Sequence, residues 1–203
     1  MKITADWKDA EGKGLKDIGW ALEYEGTIES EEAIEIDIGH KWFKISGSLK
    51  SMFSISAGWG ISAGDGISAG KGISAGWGIS AGKGISAGKG ISAGWGISAG
   101  DGISAGWGIS AGWGISAGKG ISAGKGISAG DGISAGDGIS AGDGISAGLS
   151  ITCKKVLKWS LNLFAGTAVW KKATEEDSIV EAAEIQGGEV KYGTVRIIEE
   201  DAA

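Results

Sequence analysis

Ile55-Ser56-Ala57-Gly58-Trp59-Gly60-Ile61-Ser62-Ala63-Gly64-Asp65-Gly66 opens a tract in which I-S-A-G-x-G recurs sixteen times without a break, the last copy ending on Ser150 in place of Gly. A period of six is even, so it suits an extended chain in which alternate residues share a face. With Ile facing inward, Ala two residues on also faces inward and Ser between them faces out. The G-x-G that follows reads as a corner, because Gly tolerates φ > 0 and close backbone approach. A helix is untenable: two Gly in every six residues would cost roughly 2 kcal/mol per repeat relative to Ala. The variable x is Trp, Asp, Lys or, once, Leu. Burying five Asp and five Lys in a thin core is prohibitive, so x faces solvent. The tract reads as a β-solenoid.

The x residues also set the number of repeats per coil, since residues one coil apart stack directly. One repeat per coil places Lys83 on Lys89 and aligns Asp131, Asp137 and Asp143. Four repeats avoid every like-charge contact but scatter the Trp residues. Three repeats, an 18-residue coil, give a column Trp59, Trp77, Trp95, Trp113, Asp131, Leu149. The second column alternates in sign, Asp65, Lys83, Asp101, Lys119, Asp137, and the third reads Lys71, Lys89, Trp107, Lys125, Asp143. Three wins. The prediction is an all-β, triangular parallel β-helix whose perfect repeats make about five coils, roughly 25 Å long at the usual strand spacing. No isolated coil of such a stack is stable, because each buries its apolar face only against its neighbours.

The flanks keep part of the pattern. Phe43, Leu49 and Ile55 are six apart, and Leu22, Ile28 and Ile34 repeat that spacing. Beyond the tract, Ile151, Leu157, Leu163 and Val169 continue the step, while Trp159 and Phe164 add bulk suited to plugging the end. A bare strand edge invites aggregation unless covered. The expected division is therefore an N-terminal β cap (1–42), the solenoid (43–170) and an acidic C-terminal cap (171–203). Gly187-Gly188 before the alternating run Glu189 to Ile198 predicts a hairpin in that last segment.

Composition narrows the function classes. The chain has 203 residues with 41 Gly, no Pro and one Cys. Collagen is excluded, because Gly does not fall at every third position. One Cys cannot form an internal disulfide, and with one His it leaves no ligand set for a Cys/His metal site. No apolar run is long enough to span a bilayer and no secretory signal stands at the start, so a cytoplasmic location is expected. The net charge of −6 comes from the two flanks, the repeat itself being neutral. Without a basic stripe, nucleic acid is not an expected partner.

Two resemblances follow from the repeat. The tract ISAGWGISAGDGISAGKG, with Ala147-Gly148-Leu149-Ser150-Ile151-Thr152-Cys153-Lys154 and Leu163-Phe164-Ala165-Gly166, resembles GISAGxGISAG hexapeptide-repeat proteins of gut bacteria and their phages. That resemblance implies a β-solenoid and a phage or mobile-element setting, with no activity to carry over. More distantly, the 18-residue coil resembles the left-handed β-helices of hexapeptide-repeat acyltransferases. Those place an aliphatic residue at position one and a small inward residue at position five. Here position five is x and the small Ala stands at position three.

No catalytic constellation emerges from the residues. Nucleophilic catalysis needs a Ser or Cys with a positioned base, and sixteen identical Ser residues single out none. Cys153 takes the inward place of Ala, and His40 has no evident partner. The G-x-G units lack the strand–loop–helix context of a phosphate loop. Asp65, Lys83, Asp101, Lys119 and Asp137 read as a structural charge ladder rather than a cation site. The candidate binding residues are Trp59, Trp77, Trp95 and Trp113, an exposed ridge of offset-stacked indoles, together with Trp107 between Lys89 and Lys125. The expected function is a non-enzymatic scaffold or protein-binding module, without cofactor or metal, whose partner is a protein or a second copy. The alternative is a phage or mobile-element protein that inhibits a host factor. An acyltransferase-like enzyme ranks third.

Overall fold

A computed structural model of the chain describes residues 1–199. Every I-S-A triplet is a short strand, and each pairs in parallel with its equivalent one coil on, Ile61–Ala63 with Ile79–Ala81 for example. Three parallel sheets of ten, nine and eleven strands result, so the flanks supply about as many layers as the perfect repeats. The first face carries Ile55, Ile73 and Ile91, the second Ile61, Ile79 and Ile97, and the third Ile67, Ile85 and Ile103. At about 4.8 Å per layer the ten-stranded sheet runs roughly 43 Å. This is a triangular β-solenoid.

The repeat Ile residues are buried, all at 1 % exposure or below, and Ala fills the remaining inward space. Ser points outward along all three faces. Each layer bonds to the next through three further backbone contacts per repeat. Ile97 N–H donates to Gly114 O (3.0 Å), Gly100 N–H to Ala81 O (3.0 Å) and Asp101 N–H to Lys83 O (3.0 Å). The corners thus belong to the hydrogen-bonded stack, which meets the requirement that buried backbone groups be paired.

The two glycines of each repeat are not equivalent. None of the repeat glycines has positive φ; that conformation occurs only at Gly12, Gly19, Gly26, Gly39, Gly166 and Gly193 among the described residues. Of the two properties that suit Gly to the corner, left-handed backbone is not used by the repeat and close approach is. A Cβ on Gly112, the fourth position of its repeat, would lie 2.0 Å from Gly94 O one coil below. A Cβ on Gly114, the sixth position, would sit 3.4 Å from Gly132 O, an ordinary contact. Ser48, Ser54 and Ser150 occupy that sixth position, as this difference permits.

The sheets cross residues 42/43 and 170/171 without interruption. Leu22 pairs with Phe43, Ile28 with Leu49 and Ile34 with Ile55, so the six-residue spacing of the N-terminal flank belongs to a coil longer than those of the repeat. Residues 1–19 close the N-terminal end: Lys16–Asp17 adds an antiparallel pair to Glu23 and Leu22, and Trp7 packs edge-on against Tyr24 at 5.4 Å. The Tyr24 hydroxyl donates to Asp9 Oδ2 (2.6 Å), which with burial pushes its pKa up to about 12.

Three expectations for the C-terminal flank are corrected. The Gly187-Gly188 hairpin does not form. Glu184–Gln186, Glu189–Tyr192 and Thr194–Ile197 lie in three different sheets as a final coil, in which Ile185 and Val190 are partly buried against the core and Val195, in register with buried Val180, is exposed. Val169 does not continue the core; it is 99 % exposed in a loop. Phe164 sits at the outward Ser position, paired with Ser146, and is exposed, whereas Trp159 is buried against Gly187. Residues 200–203 of the expected acidic cap lie outside the described residues.

Candidate functional site: the tryptophan corner

Each corner of the triangle carries one column of x residues, and the three columns behave differently. At the second corner Asp65 pairs with Lys83 (2.8 Å), Asp101 with Lys119 (2.9 Å) and Asp137 with Lys155 (3.0 Å). Alternation of sign has resolved into three separate pairs. The carboxylate beside each amine raises the pKa of Lys83 and Lys119, through a hydrogen bond first and charge attraction second.

At the third corner the like-charge neighbours Lys71 and Lys89 turn away from each other. Lys71 lies over Phe53 (4.6 Å to the ring centroid), and Lys89 lies over Trp107 (5.0 Å). Lys125 covers the opposite face of Trp107 at 5.1 Å. An ammonium one layer away therefore reaches an indole face in this solenoid, a favourable cation–π geometry. Trp107 is not part of the ridge.

The first corner holds the ridge. Trp59, Trp77, Trp95 and Trp113 stack with centroids 4.2, 4.2 and 5.0 Å apart and ring planes within 24°, 16° and 4° of parallel. Stacking at the layer spacing covers the faces of the inner indoles with one another, so they present edges to solvent. Exposure rises along the stack: Trp59 and Trp77 are half-buried, Trp95 is 44 % exposed and Trp113 56 %. At the N-terminal end Trp59 Nε1–H donates to His40 Nδ1 (2.8 Å), and the two rings meet edge-on. Trp42 lies against Gly60 and Gly78 beside the stack.

Every lengthening of the coil up to Val180 opens at this same corner. Three connections from the first sheet to the next run longer than the G-x-G bend: Thr4 to Ala21, Asp37 to Trp42, and Phe164 to Ile179. The other two corners keep steps of six from Leu22 to Leu163. The ridge is thus bracketed by two loops, residues 5–20 and 165–178. Insertions gathered on one side of a solenoid commonly mark its binding side. Sequence reasoning missed this, although counting steps between apolar positions could have found the two shorter insertions.

The remaining candidates carry less chemistry. Cys153 is buried at the Ala position, and desolvation pushes its pKa up to about 11, which disfavours a thiolate. The repeat Ser rows have no histidine beside them, and His40 is engaged by Trp59. Among the described residues no three His, Cys, Asp or Glu side chains converge as a metal site, and no helix is long and apolar enough to cross a membrane. A hollow of about 870 Å³ is an open trough along the first face, bounded by Trp107, Leu161 and Phe164.

Fold and site together define a β-solenoid that carries a stack of four indoles along one corner. Compared with family models, curated proteins and solved structures, the chain matches none of them.

Proposed function

We propose that the chain is a non-enzymatic scaffold or protein-binding module whose recognition surface is the tryptophan corner. One observation carries this reading: the exposed indole stack and all three coil insertions occur at the same corner. Exposure along the stack grows toward Trp113, and the loops stand on either side. Large rigid aromatic surfaces of this kind are enriched where proteins meet. The partner is a protein or a second copy, met in the cytoplasm. A phage or mobile-element protein that inhibits a host factor would use the same surface, and that version rests on the resemblance of the repeat.

The test compares the intact chain with a Trp77→Ser, Trp95→Ser variant. Retained proteins from a host lysate and the oligomeric state in solution are measured for both. Loss of a retained partner, or of self-association, supports the reading; identical results leave the stack merely structural. Saturable acyl-CoA binding would favour an enzyme instead.

A further inference from the structure

The stack at the tryptophan corner ends on a carboxylate. Beyond Trp113 the next layer carries Asp131 and the one after that Leu149, joined by backbone bonds from Asp131 N–H to Trp113 O and from Leu149 N–H to Asp131 O (3.2 Å each). Trp113 gives one face to Trp95; toward Asp131 no ring or cation among the described residues covers it. Asp131 has no ion-pair partner among the described residues, in contrast to Asp65, Asp101 and Asp137 at the second corner.

Above this point the loop 165–178 folds back over the corner. Gly166 N–H donates to Leu149 O (2.9 Å) and Ala168 N–H to Gly148 O (2.8 Å). Its Lys171 is held by Asp177 (2.7 Å) and lies over Trp170, so that ammonium is not directed at Asp131. Among the described residues Lys172 forms no ion pair with Asp131 either. The result is a notch spanning two layers, about 9.6 Å at the usual spacing, between exposed Trp113 and half-buried Leu149, with Asp131 on the layer between them. A planar guanidinium stacked on the indole and bonded to the carboxylate suits that height and charge.

We infer that the notch formed by Trp113, Asp131 and Leu149 receives an arginine side chain of a partner protein. The proposal rests on the tryptophan corner being the recognition surface and names the chemistry of its contact. Arg meets three features at once: a planar cation for the indole face, a fork of donors for Asp131, and a permanent charge. The third corner supplies the geometric precedent, since Lys89 and Lys125 lie over Trp107 from neighbouring layers.

The probe is the peptide acetyl-Gly-Arg-Gly-amide, with its neutral isostere acetyl-Gly-citrulline-Gly-amide as control. Binding is read from the indole Nε1–H signals in two-dimensional NMR of the intact chain. Arginine peptide is expected to shift the Trp113 signal saturably while leaving Trp59 nearly unmoved. The citrulline peptide should bind about 10-fold more weakly, and Asp131→Asn should weaken the arginine peptide about 2–5-fold, the range for an exposed charge pair. Lys172→Ala separates self-occupation from partner binding: tighter peptide binding in that variant would show the notch already filled by the chain's own loop and overturn the proposal. Equal shifts by both peptides, or an unchanged affinity in Asp131→Asn, would also overturn it. Those results leave the ridge reading standing, because that reading depends on Trp77 and Trp95. A retained partner lost on Trp77→Ser, Trp95→Ser but kept on Asp131→Asn would separate the two in the same way.

Discussion

Gly112→Ala and Gly114→Ala add the same methyl group on either side of Trp113, and the solenoid should respond to them very differently. At Gly112 the new Cβ would lie 2.0 Å from Gly94 O, well inside contact distance, whereas at Gly114 it would lie 3.4 Å from Gly132 O. Relief at Gly112 requires the two coils to part locally. That movement strains the Gly112 N–H to Ala93 O and Trp113 N–H to Trp95 O bonds, both 3.1 Å. Two net hydrogen bonds are worth about 1–3 kcal/mol, and overpacking strain adds about 1–3 kcal/mol. Alanine returns about 0.4–1 kcal/mol by restricting the unfolded chain. Gly112→Ala should therefore cost about 1–5.5 kcal/mol, and Gly114→Ala should be neutral or slightly stabilising. Urea unfolding followed by tryptophan fluorescence gives the comparison, with amide exchange at residues 111–115 reporting locally if the stack opens in sections. Two variants within about 0.5 kcal/mol of each other, the spread of an ordinary surface substitution, would refute the argument that coil-to-coil contact, not corner conformation, demands the glycine.

Asp101→Lys places a third like charge between Lys83 and Lys119; the thermal midpoint should fall, and most of the loss should return near 1 M salt, where the Debye length is about 3 Å. Trp159 is buried and its Nε1–H has no acceptor, so Trp159→Phe should change stability by no more than about 1 kcal/mol because it removes an orphaned donor; Trp159→Ala should cost about 3–5 kcal/mol, both read by urea unfolding. Asp177 is held down to about 2, chiefly by the Lys171 hydrogen bond and then by Thr174. Its folded pKa lies below the unfolded value near 3.9, so its contribution is complete above pH 4 and is lost as pH falls through about 2. Amide protection at Thr174 and Asp177 should disappear in that window, and unchanged protection at pH 2 would contradict it.

Coil length was legible because the x residues are informative in pairs: only an 18-residue winding aligns four Trp and alternates Asp with Lys. Burial of Ile and outward Ser followed from the even period. What the tract concealed was the cause of its glycines, since a close contact between coils leaves no trace in a single repeat. In the flanks the period survives at two corners and fails at one, so a uniform step misplaced Val169 and suggested a hairpin where Val180, Val190 and Val195 mark a smaller coil. The His40 contact was hidden for a related reason. One coil back from Trp59 the regular winding reaches Lys41, but that ammonium is drawn to Asp17, leaving the neighbouring imidazole to accept the indole N–H.

The inequality between backbone and surface periods has a consequence for how such a chain can change length. Removing one hexapeptide, positions 97–102 for instance, returns an identical Ile, Ala and Gly to every inward and corner position, so the stack can close without a scar. Every outward group downstream nevertheless moves one corner around. Trp113 would leave the indole stack for the third corner, Trp107 would enter the charge-paired column, and Lys119 would follow Trp95. Loss or gain of a whole coil preserves all three columns, whereas one or two hexapeptides alone rotate the two ends of the molecule by a third of a turn and rewrite its exterior at a stroke.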